Sequence, residues 1–277
     1  MGRLFCASLK RLWKNKCFWL CMLAMMVYIL LYMWSRCRIV LDDLTDGERN
    51  LEDFYFEFAI AIGMLSAVFT TFFLSREYSD GTIRNKIIAG HTRKDIYLSH
   101  LAVTFFASLL MLLVGMAAAL VGIPTLGVWK MGAGKFFLYL LITVMATLAF
   151  CAIYTLFNVL IQNKSFSAVI TILAFFVLML TVMKLDMKLA APQTVFQDIL
   201  VTGDKIDFRE PMPNPSYVSG IKREIIDFSI DFLPAGQTYR VAYLWVEHPV
   251  RMLLSSVFLS VFLTALGIFF FERKDLK

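Results

Sequence analysis

Six long apolar stretches constrain the fold of this chain more than any other feature of its sequence. They cover residues 17–34, 54–74, 101–123, 136–161, 166–183 and 252–271. About 17–25 apolar residues cross a bilayer as a helix, and these stretches are continuous where strands of a barrel would alternate. Because backbone groups in lipid must be hydrogen-bonded internally, the sequence predicts a single domain (residues 1–277): an all-α integral membrane protein with six transmembrane helices.

The composition is typical of a membrane protein and includes few residues of the types that carry out catalysis. Of the 277 residues, 59% are hydrophobic and 17% are charged, whereas a soluble domain has about 25% charged residues. The chain has three histidines and no His-Glu-x-x-His zinc pattern. Contacts with lipid headgroups are a sufficient explanation for His91 and His100. We therefore expect no catalytic residues, no metal, no cofactor and no ATP site in this chain.

The distribution of basic residues predicts the orientation in the membrane. Six spans put both termini on one side, and the pieces on that side hold fourteen Lys and Arg against five in the two short loops opposite. Basic residues accumulate on the cytoplasmic side, so both termini are expected there. The net charge of +6 is then a topology signal and a contact for lipid headgroups, with no nucleic-acid partner implied.

Two segments outside the spans have patterns of their own. Residues 1–16 predict an amphipathic interfacial helix with Phe5, Leu9, Leu12 and Trp13 on one face, either as a basic membrane anchor or as an elbow helix packed on the bundle. Residues 184–251, called the cap below, hold six of the seven prolines. A helical repeat at 221–232 ends before the breaker Pro234, which indicates a structured or partly re-entrant external element.

Small residues recur at every fourth position in the second, fourth and sixth spans, a pattern that permits close helix approach. Ordinary packing inside one bundle explains these rows better than a substrate pathway or a dimer face. Glu57 is the one ionisable residue inside a span. It is close enough to the external end to be an interfacial carboxylate, with a substrate or proton site as the alternative.

The polar segment (residues 75–100) interrupts the apolar pattern between the second and third spans. Its spacing predicts a short helix from about Thr82 that ends at Gly90 in the left-handed conformation. Thr92 and Asp95 form a capping-box pattern that starts the next helix. Paired stop and start signals favour a rigid helical hairpin over a solvated loop.

At these residues the chain resembles the type-2 ATP-binding-cassette (ABC) export permeases, especially the single-domain permeases of Gram-positive bacteria. The motif that carries the resemblance is Glu77-x-x-x-Gly81-Thr82-Ile83-Arg84. The resemblance continues through residues 85–93, and extends to the Asn-Pro-x-Tyr stretch at 214–217, the Leu-Pro-x-Gly-Gln stretch at 233–237 and the ending at 271–277.

The resemblance implies a translocation subunit in the bacterial cytoplasmic membrane, surrounded by lipid, that pairs with a second permease chain and two separate ABC ATPase subunits. The polar segment then acts as a coupling helix seated on the ATPase, and a pathway runs largely between the second and fifth spans of the two permeases. The residues expected at the ATPase interface are Glu77, Asp80, Gly81, Thr82, Arg84 and Lys86. The residues expected along the pathway are Glu57, Gly63, Ser66 and Thr70.

The function that follows is export of a peptide, drug or lipid-like molecule with energy from a separate ATPase. A second hypothesis is a non-transporting immunity or sensor protein whose cap binds an extracellular peptide. The two hypotheses differ in whether an ATPase partner is needed. A membrane-embedded enzyme is disfavoured by the scarcity of histidines and intramembrane carboxylates.

Overall fold

The computed structural model describes residues 2–42, 50–79, 81–127, 129–161, 163–195, 199–202, 205–208 and 212–274. In chain order its helices are α1 (Gly2–Trp13), α2 (Lys16–Asp42), α3 (Glu52–Tyr55), α4 (Phe58–Ser79), α5 (Thr82–Ile88), α6 (Arg93–Ala119), α7 (Ile123–Leu126), α8 (Ala133–Leu160), α9 (Lys164–Ala190), α10 (Ile221–Phe232), α11 (Pro234–Ala242) and α12 (Pro249–Arg273). The strands are β1 (Thr194–Val195), β2 (Ile199–Thr202), β3 (Lys205–Phe208) and β4 (Met212–Pro213).

Six of these helices are long and apolar enough to cross a membrane, which confirms the predicted all-α integral membrane fold. They are α2, α4, α6, α8, α9 and α12, with α3 and α7 extending two of the spans. Five of the six spans extend past the predicted apolar stretches at both ends, because helical hydrogen bonding continues into the polar flanks, whereas α8 ends at Leu160, one residue before its stretch.

Helix α4 is the central helix of the bundle. In the most apolar 18 residues of its span, 67% of the residues are buried, against 22% in the corresponding segments of α9 and α12. It packs against α2, α6, α8, α9 and α11. The faces that α2, α9 and α12 leave uncovered are rich in Leu, Val, Phe and Met, as expected for surfaces in contact with lipid tails.

The small-residue rows lie at helix contacts, as the packing interpretation predicts. Ala59, Gly63, Ala67 and Thr71 on α4 are all buried. A Cβ built on Gly63 would lie 2.5 Å from a ring carbon of Phe175 on α9, so only glycine permits this approach of the two helices.

Helix α1 packs on the bundle, which favours the elbow-helix interpretation over a simple membrane anchor. It contacts α6 and buries Leu4, Ser8 and Leu12. The predicted apolar face is partly wrong, since Trp13 is 49% exposed. Arg11, expected on the polar face, turns towards the bundle, where its guanidinium lies over the Phe73 ring with 4.1 Å between the Cζ atom and the ring centroid.

The cap is structured, as expected, and more varied than the sequence suggests. Helix α10 coincides with the predicted pattern at 221–232, and Pro234, expected as a breaker, is the first residue of α11. Proline is favourable at this position because its missing N–H needs no intrahelical partner. Two short antiparallel strand pairs that the sequence analysis did not predict, β1 with β4 and β2 with β3, complete the described part of the cap.

Candidate functional site

The polar segment forms a helical hairpin between α4 and α6. Its first turn depends on Gly81, which has φ +62°, a left-handed conformation that costs little for glycine alone. The Thr82 hydroxyl donates to the Glu77 carbonyl at 3.1 Å and so ties the start of α5 to the end of α4. Asp80, also expected at this interface, lies outside the described residues.

Both predicted helix signals in the hairpin are confirmed. Gly90 has φ +85°, and the backbone N–H groups of Gly90 and His91 donate to the carbonyls of Ile87 at 2.9 Å and Lys86 at 3.2 Å. This is the Schellman pattern for a helix end. The next helix starts where the Thr92 hydroxyl accepts from the backbone N–H of residue 95, 3.1 Å away.

Glu77, in the last turn of α4, is the centre of a buried charge cluster. Its side chain is 1% exposed. Lys86 Nζ on α5 donates to Oε2 at 2.6 Å, and His100 Nε2 on α6 donates to the same oxygen at 2.7 Å. The Arg11 guanidinium on α1 pairs with Oε1. One carboxylate therefore connects four helices, which we call the Glu77 cluster (Arg11, Glu77, Lys86 and His100).

The opposite side of α5 is exposed. Arg84 and Asn85 are exposed, and Ile88 is 77% exposed. These three residues share one face of the helix. The side chain of Glu77 is buried and anchors α5 from inside, whereas Arg84 and Ile88 lie on the outer face of this helix.

Apolar packing holds the inner face of α5. Ile83 is buried in a cluster with Leu4, Ile96, Tyr97 and Phe271. These residues come from α1, α6 and α12, so α5 is fixed to three neighbours by packing as well as by the Glu77 cluster.

The end of α12 is fastened to the polar segment and to α8. Arg93, the first residue of α6, donates through Nη1 to the carbonyls of Phe271, Glu272 and Lys274, at 2.8, 2.9 and 2.5 Å respectively. Lys274 Nζ donates in turn to the Leu160 carbonyl at 2.8 Å. These cationic side chains satisfy the free carbonyls at two helix ends.

Three residues of this site escaped the sequence interpretation. His100 is 1% exposed and bonds Glu77, so the headgroup explanation for it is wrong. Arg11 lies outside the predicted apolar face of α1, and nothing in the sequence indicates that it pairs with Glu77. In the sequence, Ile88 is one apolar residue in a polar stretch, which is weak evidence that its side chain is exposed.

The residues expected along a pathway do not lie together on an open surface of the single chain. Ser66 and Thr70 are fully buried, and Gly63 is covered by Phe175. Glu57 is partly buried near the other end of α4 and accepts from the Tyr28 hydroxyl at 2.8 Å. In the single chain, therefore, Ser66 and Thr70 are not accessible from outside the bundle.

A second charge cluster holds the cap together, at the end of the bundle opposite the polar segment. Arg240 lies 2.5 Å from both Asp227 and Asp231, and Arg251 pairs with the same two carboxylates. Partial burial favours a higher pKa for Asp227, but the hydrogen bonds from the two guanidiniums outweigh it and lower this pKa. For Asp231, which is fully buried, desolvation dominates and raises the pKa.

Neither cluster is a metal site: among the described residues, no group of three His, Cys, Asp or Glu side chains is placed to hold a metal ion. Six apolar spans with a rigid charged hairpin at one end define a multi-pass transporter permease. Residues 7–182 match the family described as ABC-2 family transporter protein, and the chain belongs to this family. The matched region includes the polar segment and stops short of the cap. No curated protein matches the chain.

Proposed function

We propose that this permease is the translocation subunit of an ABC exporter and moves a peptide, drug or lipid-like substrate across the bacterial cytoplasmic membrane. ATP is hydrolysed by a separate subunit that docks on the polar segment. The observation that carries the proposal is the contrast between the two sides of α5: an exposed face with Arg84 and Ile88, and an inner face anchored on Glu77.

The Glu77 cluster supports a mechanical role for this segment. When a partner pushes α5, Lys86 transmits the force to Glu77 and hence to α4. The contact of Glu77 with His100 carries it to α6, and the contact with Arg11 carries it to α1. Breaking a buried ion pair costs about 3–5 kcal/mol, so the four helix ends are expected to move as one body.

The proposed assembly contains a second permease, a copy or a relative, with the pathway between the two chains. The uncovered apolar faces of α2, α9 and α12 provide area for lipid and for that second chain. The distribution of basic residues favours termini in the cytoplasm, and with this orientation the polar segment lies on the side where ATP is available.

The test is co-purification with the ATPase. The tagged permease is expressed together with a candidate ABC ATPase from the same genome, extracted in mild detergent and purified through the permease tag. We expect Ile88→Asp and Arg84→Glu each to lower the amount of bound ATPase at least tenfold, because they place a charge in an apolar contact or reverse the charge of the docking face.

Ile221→Asp is the matched control, because Ile221 is 75% exposed on the cap and Ile88 is 77% exposed on α5. This variant should retain the ATPase in full. Normal co-purification of Ile88→Asp, with the permease inserted in the membrane, would show that α5 is not the docking site.

A further inference from the structure

An open cavity of about 560 Å³ lies in the cap, between the end of α9, helix α10 and the start of α12. The other end of α12 is fastened to Arg93 in the polar segment, so this cavity is at the opposite end of the bundle. Its size is within the range of about 300–1,000 Å³ that is usual for small-molecule sites.

The cavity has an excess of uncompensated negative charge. Arg240 and Arg251 line it, but both are neutralised by Asp227 and Asp231. His248, with Nε2 3.8 Å from Asp227 Oδ2, also belongs to this network. Arg240 and Arg251 are thus already paired with carboxylates.

Three further carboxylates of the cavity wall have no cationic partner within the described chain: Asp186, Glu224 and Glu247. Arg223, the remaining guanidinium of the wall, donates to the Leu189 carbonyl at 3.0 Å. Coulombic attraction in a partly enclosed site therefore favours a positively charged ligand.

Aromatic rings stand next to one of these carboxylates. The Tyr239 hydroxyl donates to Asp186 Oδ2 at 3.1 Å. The Tyr239 ring lies 4.7 Å from the Tyr243 ring and 6.5 Å from the Trp245 ring, measured between centroids. Trp245 lines the cavity and is 53% exposed. Aromatic faces beside a carboxylate are the arrangement that binds organic ammonium groups.

An apolar groove of about 620 Å³ adjoins the cavity and shares Glu247, His248 and Arg251 with it. Its remaining wall includes Phe228 and Leu254, both large and exposed. A ligand that fills both spaces would place a cationic head among carboxylates and aromatic rings and an alkyl chain along the groove.

We infer that the cap binds a single-chain cationic amphiphile, with its ammonium group between Asp186, Glu247 and Trp245 and its alkyl chain in the groove beside Phe228. This goes beyond the proposed transport function, because binding here needs neither the ATPase nor the polar segment. The two proposals can therefore fail independently.

The experiment uses the purified full-length permease without ATPase, in a maltoside detergent. Decyltrimethylammonium is titrated below its micelle concentration by isothermal titration calorimetry, with decyl sulfate and an uncharged decyl glycoside as probes of the same chain length. We expect saturable binding of the ammonium probe only, because Asp186, Glu224 and Glu247 outnumber the one wall guanidinium without a carboxylate partner in the described chain, Arg223, and repel the sulfate.

Variants test the assigned residues. Asp186→Asn with Glu247→Gln, and separately Trp245→Leu, should each weaken binding of the ammonium probe about tenfold, while Trp245→Phe should retain it. Glu272→Gln, an exposed carboxylate at the other end of the bundle, serves as the control and should bind normally.

Three results would overturn the inference: equal binding of decyl sulfate, unchanged affinity in the carboxylate variants, or binding of a cationic peptide with none of decyltrimethylammonium. Size-exclusion profiles identify a variant that fails to fold, and the Trp245→Leu and Trp245→Phe pair then still separates binding from folding.

Discussion

At the scale of single residues, Glu77 has the strongest structural role in the polar segment. Its carboxylate is buried, and its three partners come from three other helices. The desolvation of such a group is offset only while its cationic partners remain in place. The residue thus explains how a short helix of seven residues keeps a fixed position on the bundle.

Replacing this carboxylate should cost more than replacing the other glutamate of the same span. We expect Glu77→Gln to destabilise the permease by about 2 kcal/mol, below the range of about 3–5 kcal/mol for a fully buried pair, because Arg11 and Lys86 retain some access to water. The measurement is the apparent unfolding temperature of the purified protein in detergent.

The control is Glu57→Gln, since the Tyr28 hydroxyl can still donate to an amide oxygen. This variant should unfold within one or two degrees of the wild type. Equal unfolding temperatures for Glu57→Gln and Glu77→Gln would contradict the role assigned to the Glu77 cluster.

The sequence predicted the importance of Glu77 through a family resemblance and could not predict its geometry. A carboxylate at the end of an apolar stretch fits either an exposed contact or a buried anchor. The choice depends on partners 66 residues earlier and 23 residues later in the chain, as the contacts with Arg11 and His100 show. Such long-range pairing has no periodic signal.

At the scale of secondary-structure elements, local signals were sufficient for the hairpin. Gly90, Thr92 and Asp95 determine where one helix ends and the next begins through hydrogen bonds within six residues. The same holds for α10, whose apolar repeat at three and four residues gave its bounds. The strand pairs of the cap were missed because strands of two to four residues are too short to show alternation.

Gly81 provides a test of the hairpin as an element. Gly81→Ala should destabilise the start of α5 by about 1–2 kcal/mol, because alanine is strained at φ +62°. Hydrogen exchange of the α5 amides should become roughly tenfold faster, and binding of the ATPase should weaken in parallel.

Gly132→Ala is the matched substitution. Gly132 precedes α8 with φ −63°, and neither glycine has a neighbour within 4 Å of an added Cβ. Exchange in this variant should be unchanged. If both alanine variants behave alike, the left-handed turn is not what fixes the beginning of α5.

At the scale of the whole molecule, the orientation predicted from the distribution of basic residues can be measured directly. In a variant that keeps only Cys6, an exposed cysteine of α1, a membrane-impermeant maleimide should label inverted vesicles and leave intact cells unlabelled. In a variant whose one cysteine is introduced by Ser219→Cys in the cap, the pattern should be the reverse. The same labelling pattern for both positions would exclude the proposed topology.

The bundle as a whole was predictable because hydrophobic length and basic residues act independently of partners. The sequence could not show which helix is central. The apolar stretches have similar composition, and only packing shows that α4 is enclosed while α9 and α12 face outward. The expected pathway residues Ser66 and Thr70 are covered for the same reason.

Helix α12 is held by polar contacts at both of its ends, so the two ends are mechanically connected through a single helix. Its 25 residues span about 37 Å at 1.5 Å per residue. At one end Arg251 forms ion pairs with Asp227 and Asp231. At the other end Arg93 donates hydrogen bonds to the last carbonyls. We therefore expect a tilt imposed beside α5 to reach the wall of the cavity at the other end of α12, because this helix is continuous from Pro249 to Arg273.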